Sequence, residues 1–224
     1  MEYRPLGRTG LQVSALGFGC GNVGGLMVRG TPADRERAVA RALELGLNYF
    51  DTAPSYGDGQ SELHLGQVLR ALKPQVYVGT KFRLEADDLK DVARAVARSL
   101  ETSLGRLGLE RVDLLQLHNP ITTKPHPGWL EPQRVLGEVV PALQELRRQG
   151  KIRFLGMTAI GDTPAVHQVI DSGLIDTAQV CYNLLNPSAG MPVPPRFPAQ
   201  DFDRLLTHTR AQRMGVIVIR VLAA

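Results

Sequence analysis

Short apolar runs alternate along the chain with longer amphipathic stretches. The runs are Ser14–Gly19, Asn48–Asp51, Val76–Thr80, Asp113–His118, Ile152–Met157, Asp176–Cys181 and Gly215–Val221. Several are continuous in Val, Ile, Leu or Phe, the pattern of parallel strands buried on both faces. Between them, residues 31–45, 60–72, 89–107, 132–149, 163–172 and 198–213 carry apolar side chains at helical spacing. The first of these helices is well punctuated: Thr31 suits the N-cap, Pro32 the first turn, Asp34 its positive end, and Gly46 the stop. Ahead of the series, two strand-like pieces flank Gly7-Arg8-Thr9-Gly10, a hairpin signature. Repeated strand–helix units predict α/β architecture with right-handed crossovers. Seven strands without division into halves favour a (β/α)8 TIM barrel with an N-terminal β-hairpin over an open sheet. The sequence reaches only the seventh strand before Ala224, so one barrel domain over 1–224 is expected, without its last strand–helix unit. The Pro-rich stretch Asn186–Pro198 reads as a long loop after the sixth strand.

Composition narrows the class. With 224 residues, 43% hydrophobic and 21% charged, the chain suits a single globular domain. Its net charge of +4 is spread out, and pairs such as Arg147 with Arg148 read as solvated faces, so no nucleic-acid footprint is expected. No apolar run approaches the roughly 18 residues that suggest a membrane span. The N-terminus leads straight into strand patterns, which points to the cytoplasm. Cys20 and Cys181 have neither CxxC spacing nor a histidine cluster nearby, so neither a disulfide framework nor a metal is expected. The segment Gly19-Cys20-Gly21-Asn22-Val23-Gly24 matches GxGxxG, but a Rossmann loop opens directly into a helix. Here glycines continue to Gly30 and the helix signal comes only at Thr31, so a flexible loop at a barrel mouth is the better reading.

Candidate chemistry gathers at strand ends. Asp51 closes the second strand within FDTAPSYG, Tyr56 follows in its loop, Lys81 ends the third strand in VGTK, and His118 ends the fourth in LLQLHNP. In a parallel barrel these ends converge on one rim. A carbonyl that accepts hydride becomes an alkoxide and needs a proton. A phenol is a weak acid at neutral pH, and a nearby ammonium makes it a better one. Lys81 would supply that charge, Asp51 would hold Lys81 charged and oriented, Tyr56 would donate the proton, and His118 would hydrogen-bond the carbonyl oxygen.

The hairpin, LGFG, FDTAPSYG, the strand-end lysine, LLQLHNP, GKIRFLG and QVCYNLLNP together resemble the aldo-keto reductase family, with a leaning toward its bacterial sugar and pyridoxal dehydrogenase branch. The resemblance implies an NAD(P)-dependent oxidoreductase acting on small aldehydes, ketones or sugars, with Asp51, Tyr56, Lys81 and His118 as catalytic residues. It implies a nicotinamide cofactor, NADP(H) more often than NAD(H), bound without a Rossmann fold. Gly21, Asn22, Asp51, Thr158, Gln179, Ile219, Arg220 and Val221 match positions where cofactor is held. Thr158-Ala159 stands where relatives carry Ser-Asn, and Ile219 or Val221 must pack where relatives offer an aromatic ring. Met27 and Trp129, in the loops at the mouth, are candidate walls for the substrate. A cofactor-sensing regulatory protein on the same scaffold is the alternative from a different class.

Overall fold

The computed structural model describes residues 1–222; Ala223 and Ala224, the end of the expected domain, lie outside the described residues. At the N-terminus β1 (Tyr3–Pro5) pairs antiparallel with β2 (Gln12–Ser14), Tyr3 opposite Ser14. A 3-10 turn, Gly7–Thr9, and a left-handed Gly10 (φ 71°) connect them.

A seven-stranded parallel sheet follows, each strand hydrogen-bonded to its sequence neighbours: β3 (Phe18–Gly19), β4 (Tyr49–Asp51), β5 (Tyr77–Phe82), β6 (Val112–Leu117), β7 (Ile152–Thr158), β8 (Thr177–Cys181) and β9 (Gly215–Ile219). Its helices are α1 (Leu26–Arg29), α2 (Pro32–Glu44), α3 (Gln60–Leu72), α4 (Val92–Leu107), α5 (Pro132–Arg134), α6 (Val140–Arg148), α7 (Thr163–Asp171) and α8 (Leu205–Ala211). Alternate strand residues sort into two apolar clusters. Phe50, Val78, Leu115, Leu155 and Ala178 pack outward with the helices. Tyr49, Tyr77, Leu114, Phe154 and Ile217 meet on the other side around Leu6 and Leu11 from the N-terminal hairpin. That second cluster joins β4 to β9, five strands apart, which a flat sheet would separate by roughly 24 Å. The sheet is therefore curled, and the hairpin plugs the interior at the N-terminal ends of its strands.

Several boundaries differ from the sequence reading, each for a local reason. The expected strand from Ser14 to Gly19 is split: Ser14 belongs to β2, and its hydroxyl donates to the Leu16 carbonyl at 2.6 Å, bending the chain before β3. The glycine-rich loop contains a one-turn helix, α1, ahead of Thr31. The amphipathic stretch from 89 begins with a 3-10 turn, Ala86–Lys90, and Asp91 then caps α4 by accepting from the Arg94 N–H at 3.1 Å. The expected helix over 132–149 is interrupted by a π-turn at Val135–Val139, which ends two residues before Pro141. Proline has no N–H to give to the i−4 carbonyl, and a widened register absorbs the loss. The helix expected over 198–213 covers only Leu205–Ala211, because Asp203 (φ 42°) and Arg204 (φ 55°) are left-handed just before it. The last strand stops at Ile219, where Arg220 turns left-handed (φ 55°), so Val221 is outside it.

Candidate active site

Period-two alternation aims Tyr49 and Asp51 of β4, Gly79 and Lys81 of β5, and Leu114 and Gln116 of β6 into the curled interior. The upper members of these rows meet at the C-terminal rim. Lys81 has no exposed side-chain surface, while Asp51 keeps 16%. The lysine ammonium donates to Asp51 Oδ2 at 2.6 Å, to the Thr52 carbonyl at 2.9 Å and to the Tyr56 hydroxyl oxygen at 3.1 Å. These are all the protons an ammonium has to give, so the buried charge is fully satisfied. Burial works against the charged form of Lys81, but the negative charge of Asp51 and the oxygen of Tyr56 outweigh it and hold its pKa above the ordinary value.

Tyr56 is delivered by a tight loop. Its N–H donates to the Ala53 carbonyl at 3.1 Å and its carbonyl accepts from Ser61 N–H at 3.2 Å. The loop then passes through three left-handed residues, Gly57, Asp58 and Gly59, to reach α3. Beneath it the hydroxyls of Thr52 and Ser61 share a 2.9 Å hydrogen bond, and Ser61 donates to the Cys20 carbonyl at 2.9 Å. These buried links fix the Thr52 carbonyl that Lys81 uses.

His118 sits one residue beyond β6, its N–H bonded to the Phe82 carbonyl at 2.9 Å. The buried Asn119 amide clamps the turn by donating to the Leu84 carbonyl at 2.8 Å and accepting from Leu84 N–H at 2.9 Å. The imidazole meets the Tyr56 ring edge-on, with centroids 6.4 Å apart. Burial first, then the positive charges of Lys81 and Arg83, push the His118 pKa down to about 4 against an opposing pull from Asp51. His118 is therefore neutral at physiological pH.

Asp51, Tyr56, Lys81 and His118 are thus gathered at one rim. The Aldo/keto reductase family profile matches residues 15–222 of the sequence. The chain belongs to that family. Among relatives, L-galactose dehydrogenase of Arabidopsis thaliana is 38% identical over 163 residues, 71% of this chain and 49% of the relative. The NADH-specific methylglyoxal reductase of Escherichia coli (strain K12) is 30% identical over 204 residues, 83% of this chain and 60% of the relative. An aldo/keto reductase from Klebsiella pneumoniae, solved with NADP and acetate, superposes with a TM-score of 0.71 at 26% identity, covering 99% of this chain and 69% of that one. The chain spans about half the length of the first of these relatives.

Thr158 and Gln179 lie at the same rim, both nearly fully buried. Gln179 donates to Asp51 Oδ1 at 2.7 Å and accepts from the Thr158 hydroxyl at 3.5 Å. A bond from β8 to β4 crosses four strand spacings, roughly 19 Å in a flat sheet, and is direct evidence of the curl. Gly21 packs against Tyr56: a Cβ there would lie 3.8 Å from the ring. Asn22 is exposed on the same loop. Ile219 packs against the core, whereas Arg220 and Val221 are exposed beyond the strand.

The two candidate substrate walls differ in exposure, Met27 being buried and Trp129 half-buried. Met27 is 1% exposed within the main core, because α1 turns it inward; its carbonyl faces His64 Nδ1 at 2.8 Å. The Trp129 ring packs tilted against His126, with centroids 4.7 Å apart and planes inclined at 46°, and lines a side hollow of about 390 Å³ with Thr122, Pro125 and Arg134. None of the four rim residues borders that hollow. A groove of about 1050 Å³ lies at the opposite, N-terminal ends of the strands, bordered by Tyr77, Asp113 and Arg153.

Sequence reasoning passed over Tyr49 and Gln116. Gln116 donates to Asp51 Oδ1 at 3.1 Å, and the Tyr49 hydroxyl donates to the same oxygen at 3.3 Å. The signal was present: each stands two residues before a rim residue, Tyr49 before Asp51 on the same face of β4 and Gln116 before His118, which lies just past the end of β6.

Proposed function

We propose that this chain carries the catalytic site of an NAD(P)(H)-dependent oxidoreductase that interconverts small carbonyl compounds and alcohols, aldehydes, ketones and sugars being the substrate class. The observation that carries the reading is the direction of the Lys81–Tyr56 hydrogen bond. Because the phenol oxygen accepts from the ammonium, its own proton is free to point outward and be given to a carbonyl oxygen. In the opposite direction the ammonium holds the phenolate while it takes a proton from an alcohol. Neutral His118 hydrogen-bonds the reacting oxygen and orients it. Asp51 keeps Lys81 charged without being a proton carrier itself, since Lys81, Tyr49, Gln116 and Gln179 already donate to its two oxygens.

The residues suit a nicotinamide dinucleotide, which when bound supplies or accepts the hydride. Thr158 and Gln179 offer a buried hydroxyl and a buried primary amide beside Asp51, a donor and acceptor set that matches a carboxamide. Gly21 and Asn22, with Ile219, Arg220 and Val221, would border the rest. NADP(H) is favoured over NAD(H) by the Klebsiella pneumoniae relative solved with NADP, against the NADH-specific methylglyoxal reductase. The sugar and aldehyde reading draws on the names of L-galactose dehydrogenase and methylglyoxal reductase. For the whole protein we propose the closed (β/α)8 barrel, an eighth strand entering between β3 and β9, whose outer edges pair with no strand among the described residues. The two cysteines are free and buried, which suits a cytoplasmic setting.

The test is nicotinamide absorbance on mixing with NADPH or NADH and a panel of small carbonyl compounds. Tyr56→Phe is expected to lose at least about a hundredfold in turnover while cofactor affinity stays within a few fold. Near-wild-type turnover in that variant would refute the role of Tyr56. Tight cofactor binding with no turnover across the panel would favour a cofactor-sensing protein instead.

A further inference from the structure

Asp51 rests on a polar floor inside the curled sheet. Tyr49 and Gln116 form it, one from the same strand and one from β6, and both direct a donor at Oδ1, while Oδ2 faces Lys81. We propose that Gln116 and Tyr49 are positioning residues that lock the Asp51 carboxylate, so that Oδ2 stays on Lys81 and Lys81 stays on Tyr56. The inference rests on the catalytic reading above.

Three observations separate this from ordinary packing. Gln116 is fully buried, and among the described residues its bond to Asp51 is its one side-chain hydrogen bond and its Oε1 has no partner. A buried amide left half unsatisfied is a poor choice for stability, and an aliphatic side chain would fill the same space without that cost. The neighbouring strands also make room for the floor with glycine. A Cβ on Gly79 would stand 2.5 Å from the Tyr49 hydroxyl and 3.3 Å from Gln116 Nε2, and one on Gly156 would stand 2.6 Å from Gln116 Cγ. Finally, Tyr49 is a permanent donor. Burial, and then the Asp51 charge, push its phenol well above the ordinary range, so it keeps its proton.

Without the floor, Asp51 Oδ1 loses donors, the carboxylate becomes free to rotate, and more of its charge falls on Lys81. A more fully neutralised ammonium supports the phenolate less. The groups facing Asp51 are Tyr49 on its own strand, Lys81 on β5, Gln116 and then His118 at the end of β6, Gln179 on β8, and Tyr56 in the β4 loop.

The experiment compares pH–rate profiles of wild type, Gln116→Met, Tyr49→Phe, Gln116→Glu and Tyr56→Phe in the full chain. Gln116→Met keeps the shape and removes the donor. It is expected to lower kcat about tenfold or more, leave KM for the carbonyl within about threefold, and move the limb reporting phenolate formation to higher pH by about half a unit or more. Tyr49→Phe, which removes one oxygen, should act in the same sense and more weakly. Gln116→Glu should retain activity at the acid end, where its new carboxyl is protonated and donates to Asp51. It should lose that activity as pH rises and a second carboxylate faces the first. If Tyr56→Phe abolishes turnover while Gln116→Met and Tyr49→Phe keep the wild-type profile, the floor has no positioning role and the site reading stands. If Tyr56→Phe keeps turnover, the site reading itself fails. Loss of the folded state in both Gln116→Met and Tyr49→Phe would assign the two residues to packing and overturn the proposal.

Discussion

Gln179 on β8 donates a 2.7 Å hydrogen bond to Asp51 on β4, although 128 positions separate them in sequence. The bond exists because the sheet curls, and it makes one carboxylate the hub of the interior. Asp51 accepts from Tyr49, Gln116 and Gln179 on Oδ1 and from Lys81 on Oδ2. Fold and chemistry therefore share the same few bonds, and changes at the hub should be read on both.

Asp51→Asn should be the more damaging half of the Asp51–Lys81 pair. It leaves the ammonium of Lys81, with no exposed side-chain surface, without its counter-charge. A destabilisation of about 3 kcal/mol or more is expected, with loss of turnover. Lys81→Met leaves a carboxylate that is partly solvated and keeps its Oδ1 donors, so its stability loss should be smaller. Urea denaturation of both variants checks the order; equal losses would contradict it. The pH sense follows from the raised Lys81 pKa. Its contribution is fully present below the unfolded value of about 10.4 and is lost only as pH rises through the folded value.

His118 works in the opposite direction. Its folded pKa of about 4 lies below the unfolded value of about 6.5. Between those values the unfolded chain binds a proton that the folded chain refuses. Stability is therefore complete above about pH 6.5 and falls with pH, by an amount on the order of 2 kcal/mol once solvent screening is discounted. Urea midpoints at pH 7 and 4.5 should fall further in wild type than in His118→Gln. Parallel falls would show that His118 is not the group responsible.

Gly79→Ala is expected to cost about 1–3 kcal/mol by overpacking, because its Cβ would meet the Tyr49 hydroxyl at 2.5 Å. Gly105→Ala, inside α4, meets nothing within 4 Å. It should stabilise the protein by about 0.5–1 kcal/mol through helix propensity and reduced freedom of the unfolded chain. Thermal melts of the two variants should move in opposite directions.

Glu62 separates stability from chemistry. Its carboxylate has no exposed surface, accepts from Thr80 Oγ1 at 2.6 Å and pairs with Arg106 at 3.1 Å. Thr80 faces the helices while Lys81, next in sequence, faces the interior. Glu62→Gln should destabilise by about 2–3 kcal/mol, yet leave turnover per folded molecule within about twofold. A large kcat loss at unchanged folded fraction would place Glu62 in the catalytic network.

Legibility tracked the range of the forces involved. Strand order, most helix positions and the strand-end placement of Asp51, Lys81 and His118 depend on periodicity and local turn chemistry, so they could be read from the residues directly. Motif spacing likewise carried Tyr56. The inward turn of Met27 needed a one-turn helix that the run of glycines concealed, and the interruption before Pro141 shows a local breaker overriding a clean amphipathic pattern.

What the sequence determined by itself was which residues share a strand face and which stand at a strand end. It did not determine which face turns inward, because parallel strands are apolar on both sides and periodicity marks neither as the interior. Only the curl decided that Tyr49, Gln116 and Gln179 would converge on Asp51. Such a meeting depends on the closure of long chain segments and on room left by Gly79 and Gly156, which no local pattern encodes.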